Sequence, residues 1–107
     1  MKTCGKIINI GKKSLCEMMK IDNLVLIDLR DKNQYLTKHL ANAINIPYEG
    51  KMYQRDIIKV LEKSTPHNEK IVLYCERGSL SINCAKELAK KGYTVYNLVG
   101  GITNYSY

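Results

Sequence analysis

Cys75 holds the position in this chain best suited to chemistry. It follows the apolar run Ile71-Val72-Leu73-Tyr74 and precedes Glu76-Arg77-Gly78-Ser79-Leu80-Ser81. The run reads as a buried strand, and the stretch from about Ser79 to Lys91 reads as a helix. In an open α/β sheet, ligands bind at the carboxyl ends of strands, beside the helix N-termini that follow. A loop turning from strand into helix aims backbone N–H groups inward and makes an anion-binding nest. Gly78 permits the tight turn, and Arg77 adds a permanent positive charge. Such surroundings favour a thiolate, the form in which cysteine acts as a nucleophile. The same position also suits an inert thiol buried at a strand end, and position alone leaves both readings open.

Spacing narrows the chemistry. A phosphatase of the C-x-x-x-x-x-R type needs an arginine six residues after its cysteine, to grip phosphoryl oxygens bidentately. Position 81 is serine, and Tyr74 rather than histidine precedes the cysteine. A C-x-x-C redox pair is absent because position 78 is glycine. The four cysteines, at 4, 16, 75 and 84, have no metal-like spacing to the two histidines, so no metal or other cofactor is expected. Asp28 and Arg30 lie near a strand end and read as an ion pair pinning the loop rather than as catalysts. His39 is a candidate base or a structural residue. Cys84 and Cys16 read as small core hydrophobes, and Cys4 as a thiol near the N-terminus. Glu76 reads as a solvated loop residue, while Ser79 and Ser81 are candidates to bind the sulfur or to cap the helix.

These residues must be positioned by an α/β framework. The chain has 107 residues, 45% of them hydrophobic and 25% charged, which suits one globular domain over 1–107 and excludes a disordered or fibrous chain. Ile7-Ile8-Asn9-Ile10 is a short first strand. Ser14-Leu15-Cys16-Glu17 has the spacing of a capping box, with Leu15, Met18 and Met19 on one helical face. Leu24-Val25-Leu26-Ile27-Asp28 is a strand covered on both faces. Asp31 and Gln34 are set to cap a short helix reaching about Lys38. Ala43-Ile44-Asn45-Ile46 is a strand closed by Pro47. Tyr53, Ile57, Val60 and Leu61 mark a helix to Lys63, and Ser64-Thr65-Pro66-His67-Asn68 is loop chemistry. The helix after Cys75 carries Leu80, Cys84 and Leu88 as its stripe, ends in Lys90 and Lys91, and is capped by Gly92. Thr94 to Leu98 is the last strand, and Gly100-Gly101 opens a terminal helix. The alternation predicts βα units around a mostly parallel sheet.

Four segments, in order, resemble the single-domain rhodaneses, the sulfurtransferase family. Val25-Leu26-Ile27-Asp28-Leu29-Arg30 is similar to the family's V-x-D-x-R segment. Lys38 to Pro47, KHLANAINIP, is similar to G-H-I-x-G-A-x-N-I-P. Ile71 to Ser79 resembles the strand and active loop Y-C-x-x-G-x, and Asn97 to Ile102 resembles the closing L-x-G-G-x. The resemblance implies an α/β fold, rhodanese-like, with a five-stranded, mostly parallel sheet and helices on both faces. It implies an enzyme, a rhodanese-type thiosulfate sulfurtransferase in which Cys75 takes the sulfane sulfur of thiosulfate or a persulfide and passes it to a thiol or cyanide. Residues 76 to 81 would bind the substrate, the six-residue loop Cys75 to Leu80 cradling the sulfur with its N–H groups. The departures are Leu80, where many members carry Arg or Lys, and Lys38 and Asn42, where glycine is usual. Tyr105 replaces a residue that is often tryptophan. Arg77 is then the candidate anion guide.

A second reading of the same pocket is a persulfide carrier or interaction module that accepts one sulfur and stops. The net charge of +7 suits solubility or an acidic sulfur-carrier protein as partner. Scattered lysines and the absence of any nucleic-acid module pattern argue against a nucleic-acid partner. No apolar run approaches eighteen residues, so no membrane span is expected. The opening residues lack a signal-peptide core, and a cytoplasmic location is expected.

Overall fold

A computed structural model describes residues 5–21, 23–48, 54–64 and 69–103. Nine elements follow in chain order: β1 (Ile7–Ile10), α1 (Lys12–Ile21), β2 (Leu24–Asp28), α2 (Lys32–Thr37), β3 (Ile44–Asn45), α3 (Gln54–Ser64), β4 (Lys70–Tyr74), α4 (Ser79–Lys90) and β5 (Val95–Leu98). The expectations for Cys4, Tyr53, the loop at 65–68 and Tyr105 fall outside the described residues.

The strands form one sheet in the order β1-β5-β4-β2-β3, and every pairing is parallel. Side chains alternate between the two sheet faces. One face carries Ile27, Leu73, Cys75 and Val95 against Ile57 and Leu61 of α3 and Cys84, Ala85 and Leu88 of α4. The other carries Leu26, Val72, Tyr74 and Leu98 against Leu15 of α1, with Tyr35 of α2 packed beside them. Helices therefore cover both faces, as the uninterrupted apolar runs of β2 and β4 require. From β4 the chain crosses to β5 on one side, and from β2 it crosses to β3 on the other. The crevice above the carboxyl ends of β2 and β4 is thus the point where the strand order reverses. Cys75 follows β4 there, and Leu29-Arg30 follows β2.

Local signals account for two of the helix ends. Asp31 caps α2, its side chain accepting from the Gln34 N–H at 2.8 Å. Gly92, at φ +97°, closes α4. Its N–H reaches the Ala89 carbonyl at 3.0 Å and that of Tyr93 reaches Leu88 at 3.1 Å, the paired bonds of a Schellman end. Asn42, at φ +65°, adopts the left-handed backbone that a short polar side chain tolerates, whereas Lys38 is extended at φ −166°.

Four expectations need correction. The S-x-x-E spacing at Ser14 does not start α1. The helix begins at Lys12, and the Gly11 carbonyl accepts from the Leu15 N–H at 3.0 Å. Cys16 is exposed rather than in the core, because Leu15 takes the inward position and the next residue is turned about 100° away. The buried stripe of α4 is Ser81, Cys84, Ala85 and Leu88, and Leu80 stands 41% exposed. Residues 99–103 form turns with no helix among them.

Candidate active site

The Cys75 sulfur sits at the open start of α4. Gly78, the N-cap residue, has φ +100° and supplies no side chain. The first N–H groups of a helix have no intrahelical partner, and here they turn to sulfur. The Gly78 N–H lies 3.1 Å from Cys75 Sγ and the Ser81 N–H lies 3.4 Å from it. The thiol is also 3.6 Å from Ser81 Oγ, whose own hydroxyl donates to the Gly78 carbonyl at 3.2 Å. Ser81 therefore lines the sulfur, and neither it nor Ser79 caps the helix through a side chain. The loop closes over its sulfur, for Cys75 is only 1% exposed. Two converging N–H donors and a helix N-terminus can stabilise a negative sulfur.

The turn after β5 holds the loop in this shape. The Ile102 N–H donates to the Cys75 carbonyl and the Thr103 N–H to the Glu76 carbonyl, both at 3.1 Å. The Thr103 hydroxyl also donates to the Glu76 carbonyl. With their carbonyls tied to residues 102 and 103, these peptides fix the start of the loop that brings the Gly78 and Ser81 N–H groups to the sulfur. Gly101 makes the approach possible. It sits at φ +65°, and a Cβ there would meet the Glu76 carbonyl oxygen at 2.3 Å and that of Cys75 at 2.5 Å. Gly101→Ala is expected to cost about 1–3 kcal/mol and to loosen the loop. Chemical denaturation would report the first effect and faster amide exchange at Gly78 and Ser81 the second.

Beneath the loop lies a buried ion pair. Asp28 is fully buried and Arg30 is 6% exposed. Arg30 Nη2 stands 2.7 Å from Asp28 Oδ2, and Nε bonds both carboxylate oxygens. The Arg30 backbone N–H reaches Asp28 Oδ1 at 2.9 Å. Burial alone would push the guanidinium down, but the hydrogen bonds and charge of Asp28, with Glu76 beyond it, hold it above its ordinary value. Arg30 Nη1 also lies 3.3 Å from Glu76 Oε2. Glu76, its side chain still 45% exposed, is therefore both solvated and paired, and its carboxylate is drawn toward α2. Sequence reasoning missed this contact and the clamp from Ile102 and Thr103.

The remaining candidates are dispersed. Arg77, Ser79 and Leu80 are exposed on the loop and first helical turn. His39 stacks on Tyr35, ring centres 3.9 Å apart, and its Nδ1 meets the Tyr35 carbonyl at 2.7 Å. Cys84 is fully buried on α4, and burial, with the charge of Glu87, pushes its thiol up to about 12. An unfolded chain would ionise Cys84 near its ordinary value of 9, so between about pH 9 and 12 the folded state binds more protons and stability falls as pH rises. Burial raises Tyr48 and Tyr74 in the same sense. Cys84→Ala is expected to remove part of this alkaline slope, up to about 1.4 kcal/mol per pH unit, in denaturation midpoints measured from pH 8 to 11. Among the described residues, no group of three or more His, Cys, Asp or Glu side chains is placed to hold a metal ion. None of their helices is long and apolar enough to cross a membrane.

A parallel α/β sheet with a cysteine loop at its switch point matches a known class. The rhodanese-like domain model matches residues 12–107, and the chain belongs to that sulfurtransferase family. It is 30% identical over 86 residues to the thiosulfate sulfurtransferase GlpE of Coxiella burnetii, covering 79% of this chain and 74% of that protein. It is 32% identical over 84 residues to an adenylyltransferase and sulfurtransferase of Candida albicans, covering 77% of this chain but only 19% of that longer protein. A rhodanese-related protein from Thermoplasma volcanium shares the fold, with a TM-score of 0.67 at 24% identity over 92% of this chain and 89% of that one.

Proposed function

We propose that residues 1–107 act as one domain and one enzyme, a cytoplasmic sulfurtransferase of the thiosulfate type working through a persulfide at Cys75. The observation that carries this reading is the pair of N–H groups, from Gly78 and Ser81, converging on Cys75 Sγ at 3.1 and 3.4 Å. In the first step the Cys75 thiolate attacks the sulfane sulfur of thiosulfate, an S–S bond forms to Cys75, and sulfite leaves with the electron pair of the broken bond. A persulfide donor would react likewise and leave as its thiolate. In the second step cyanide or a thiolate attacks the outer sulfur, and Cys75 departs as thiolate. Charge and electrons balance in both steps without an added oxidant. The cradle formed by residues 76 to 81 would hold the anionic outer sulfur.

Arg77, exposed beside the loop, is the candidate guide for anionic donors in place of the basic residue absent at Leu80. Arg77→Ala is expected to raise KM for thiosulfate about twofold to fivefold, in keeping with the loss of one partly screened charge contact, and to change KM for a neutral organic trisulfide less. Equal changes for both donors would remove Arg77 from that role.

Intact-protein mass spectrometry after brief thiosulfate treatment tests the reading directly. The expected result is a gain of one sulfur, about 32 Da, reversed by cyanide. A carrier using the same pocket is the second reading. A protein that takes up one sulfur but does not turn over repeatedly with thiosulfate and cyanide would be that carrier, with an acidic sulfur-carrier protein as the partner suited to its +7 charge.

A further inference from the structure

Helix α4 begins at the sulfur loop, and its outward side carries one sign of charge. Ser79, Asn83, Lys86 and Lys90 are all exposed, and their i, i+4, i+7, i+11 spacing sets them in one stripe along the helix. Arg77 precedes the stripe and Lys91 follows it, both exposed. The helix's one acid, Glu87, is half-buried and bonded to the Tyr48 side chain. Every other helix sets an exposed acid among its lysines: Glu17 on α1, Asp31 at the cap of α2, and Asp56 and Glu62 on α3. Among the described residues, Arg77, Lys86, Lys90 and Lys91 form no ion pair. The exposed side of α4 and its two ends thus carry four positive charges and no negative one, over a helix about 18 Å long.

Apolar groups border the sulfur end of this face. Leu80 is 41% exposed and Val99 is 54% exposed. Val99 belongs to the turn whose Gly100 nitrogen would stand 3.2 Å from a Cβ at Gly78, so that turn lies against the sulfur loop. A small anionic donor cannot reach Lys86 and Lys90, about two and three turns along the helix. A phosphate backbone would use the charges and leave Leu80 and Val99 uncovered. An acidic protein surface with an apolar side chain beside its reactive group complements both features.

We infer that the exposed face of α4 docks an acidic acceptor protein, whose thiol is presented to Cys75 beside Leu80 and Val99. This rests on the sulfurtransferase reading, in which the donor is small and the acceptor is free to be a macromolecule. The partner's thiolate attacks the outer sulfur of the Cys75 persulfide, an S–S bond forms to the partner, and Cys75 leaves as thiolate. The proton of the partner's thiol has already gone to solvent, and no oxidant or reductant is consumed.

The probe is a glutamate-rich peptide with one cysteine beside a leucine, compared with its counterpart carrying glutamines in place of the glutamates. Each is mixed with wild type loaded with one sulfur, and single-turnover rates are expressed per thiolate. The glutamate peptide is expected to react about tenfold faster at low salt, as a few surface charge contacts allow, with the advantage shrinking as salt is raised. Lys86→Glu with Lys90→Glu should abolish that preference and leave thiosulfate–cyanide turnover within about twofold. Lys13→Glu with Lys20→Glu, on α1 across the sheet, changes net charge equally and should keep the preference. Equal loss in both double variants would reduce the effect to net charge and overturn the α4 face, as would the absence of any preference in wild type. A single-stranded RNA held through Lys86 and Lys90 more tightly than the glutamate peptide would overturn it too, and assign the face to nucleic acid. Fluorescence anisotropy of the glutamate peptide, its cysteine replaced by serine, reads docking to the unloaded protein. Docking without sulfur uptake from thiosulfate or polysulfide would sink the sulfurtransferase reading and leave the face a docking surface, whereas uptake without charge preference would sink the face alone.

Discussion

Cys75→Ser is expected to lower sulfur transfer by more than about a thousandfold, the order seen when an enzyme loses its nucleophile, while the fold survives. An alcohol at neutral pH is a far weaker nucleophile than a thiolate, and its oxygen would have to break the same S–S bond. The fold should tolerate the change because the serine oxygen can accept from the two N–H groups that meet Cys75 Sγ, those of Gly78 and Ser81. A buried hydroxyl with such partners should change stability by no more than about 1 kcal/mol. Steady-state assay with thiosulfate and cyanide gives the first number, and denaturation gives the second. Retention of wild-type turnover would show that sulfur passes through another group. Among the described residues Cys16 is the exposed alternative, and Cys16→Ser in parallel would test it.

The framework was legible where residues act through local rules. Continuous apolar runs at Leu24 to Asp28 and Ile71 to Tyr74 suit strands covered on both faces, and both stand within a residue of their expected limits. Asp31 and Gly92 carry their helix ends in their own chemistry. The errors came where a tertiary partner decides among equivalent local choices. Either phase of α4 would bury Cys84 and Leu88, and the one adopted puts Ser81 inward, where its N–H meets the sulfur of Cys75. Leu80, one position away, is thereby rotated outward. Glu76 has no local partner, and its pairing with Arg30 spans forty-six positions of sequence. The clamp from Ile102 and Thr103 is equally non-local. A resemblance at L-x-G-G-x marks the segment without saying that Gly101 is needed for contact with two carbonyls of the active loop.

Arg30→Met is expected to destabilise the protein by about 3–5 kcal/mol, because it strands the Asp28 carboxylate, fully buried, without its counter-charge. The loss should exceed the worth of the pair itself. Replacing both partners with apolar residues of similar size, Asp28→Leu with Arg30→Met, removes the desolvated charge as well as the attraction, and should recover part of the single variant's loss. If the double variant were less stable than Arg30→Met, the pair would be contributing chiefly through its other bonds. Arg30 Nη2 also binds the Lys38 carbonyl, and Asn45 Nδ2 reaches the Asp28 and Arg30 carbonyls at 3.1 and 2.9 Å. Sulfur transfer separates packing from loop control. Both variants lack the tether to Glu76 Oε2, so both should show altered transfer even where stability returns. Recovery of stability together with full wild-type rates would mean that Arg30 supports the sheet alone and that the loop is set by Gly101, Ile102 and Thr103.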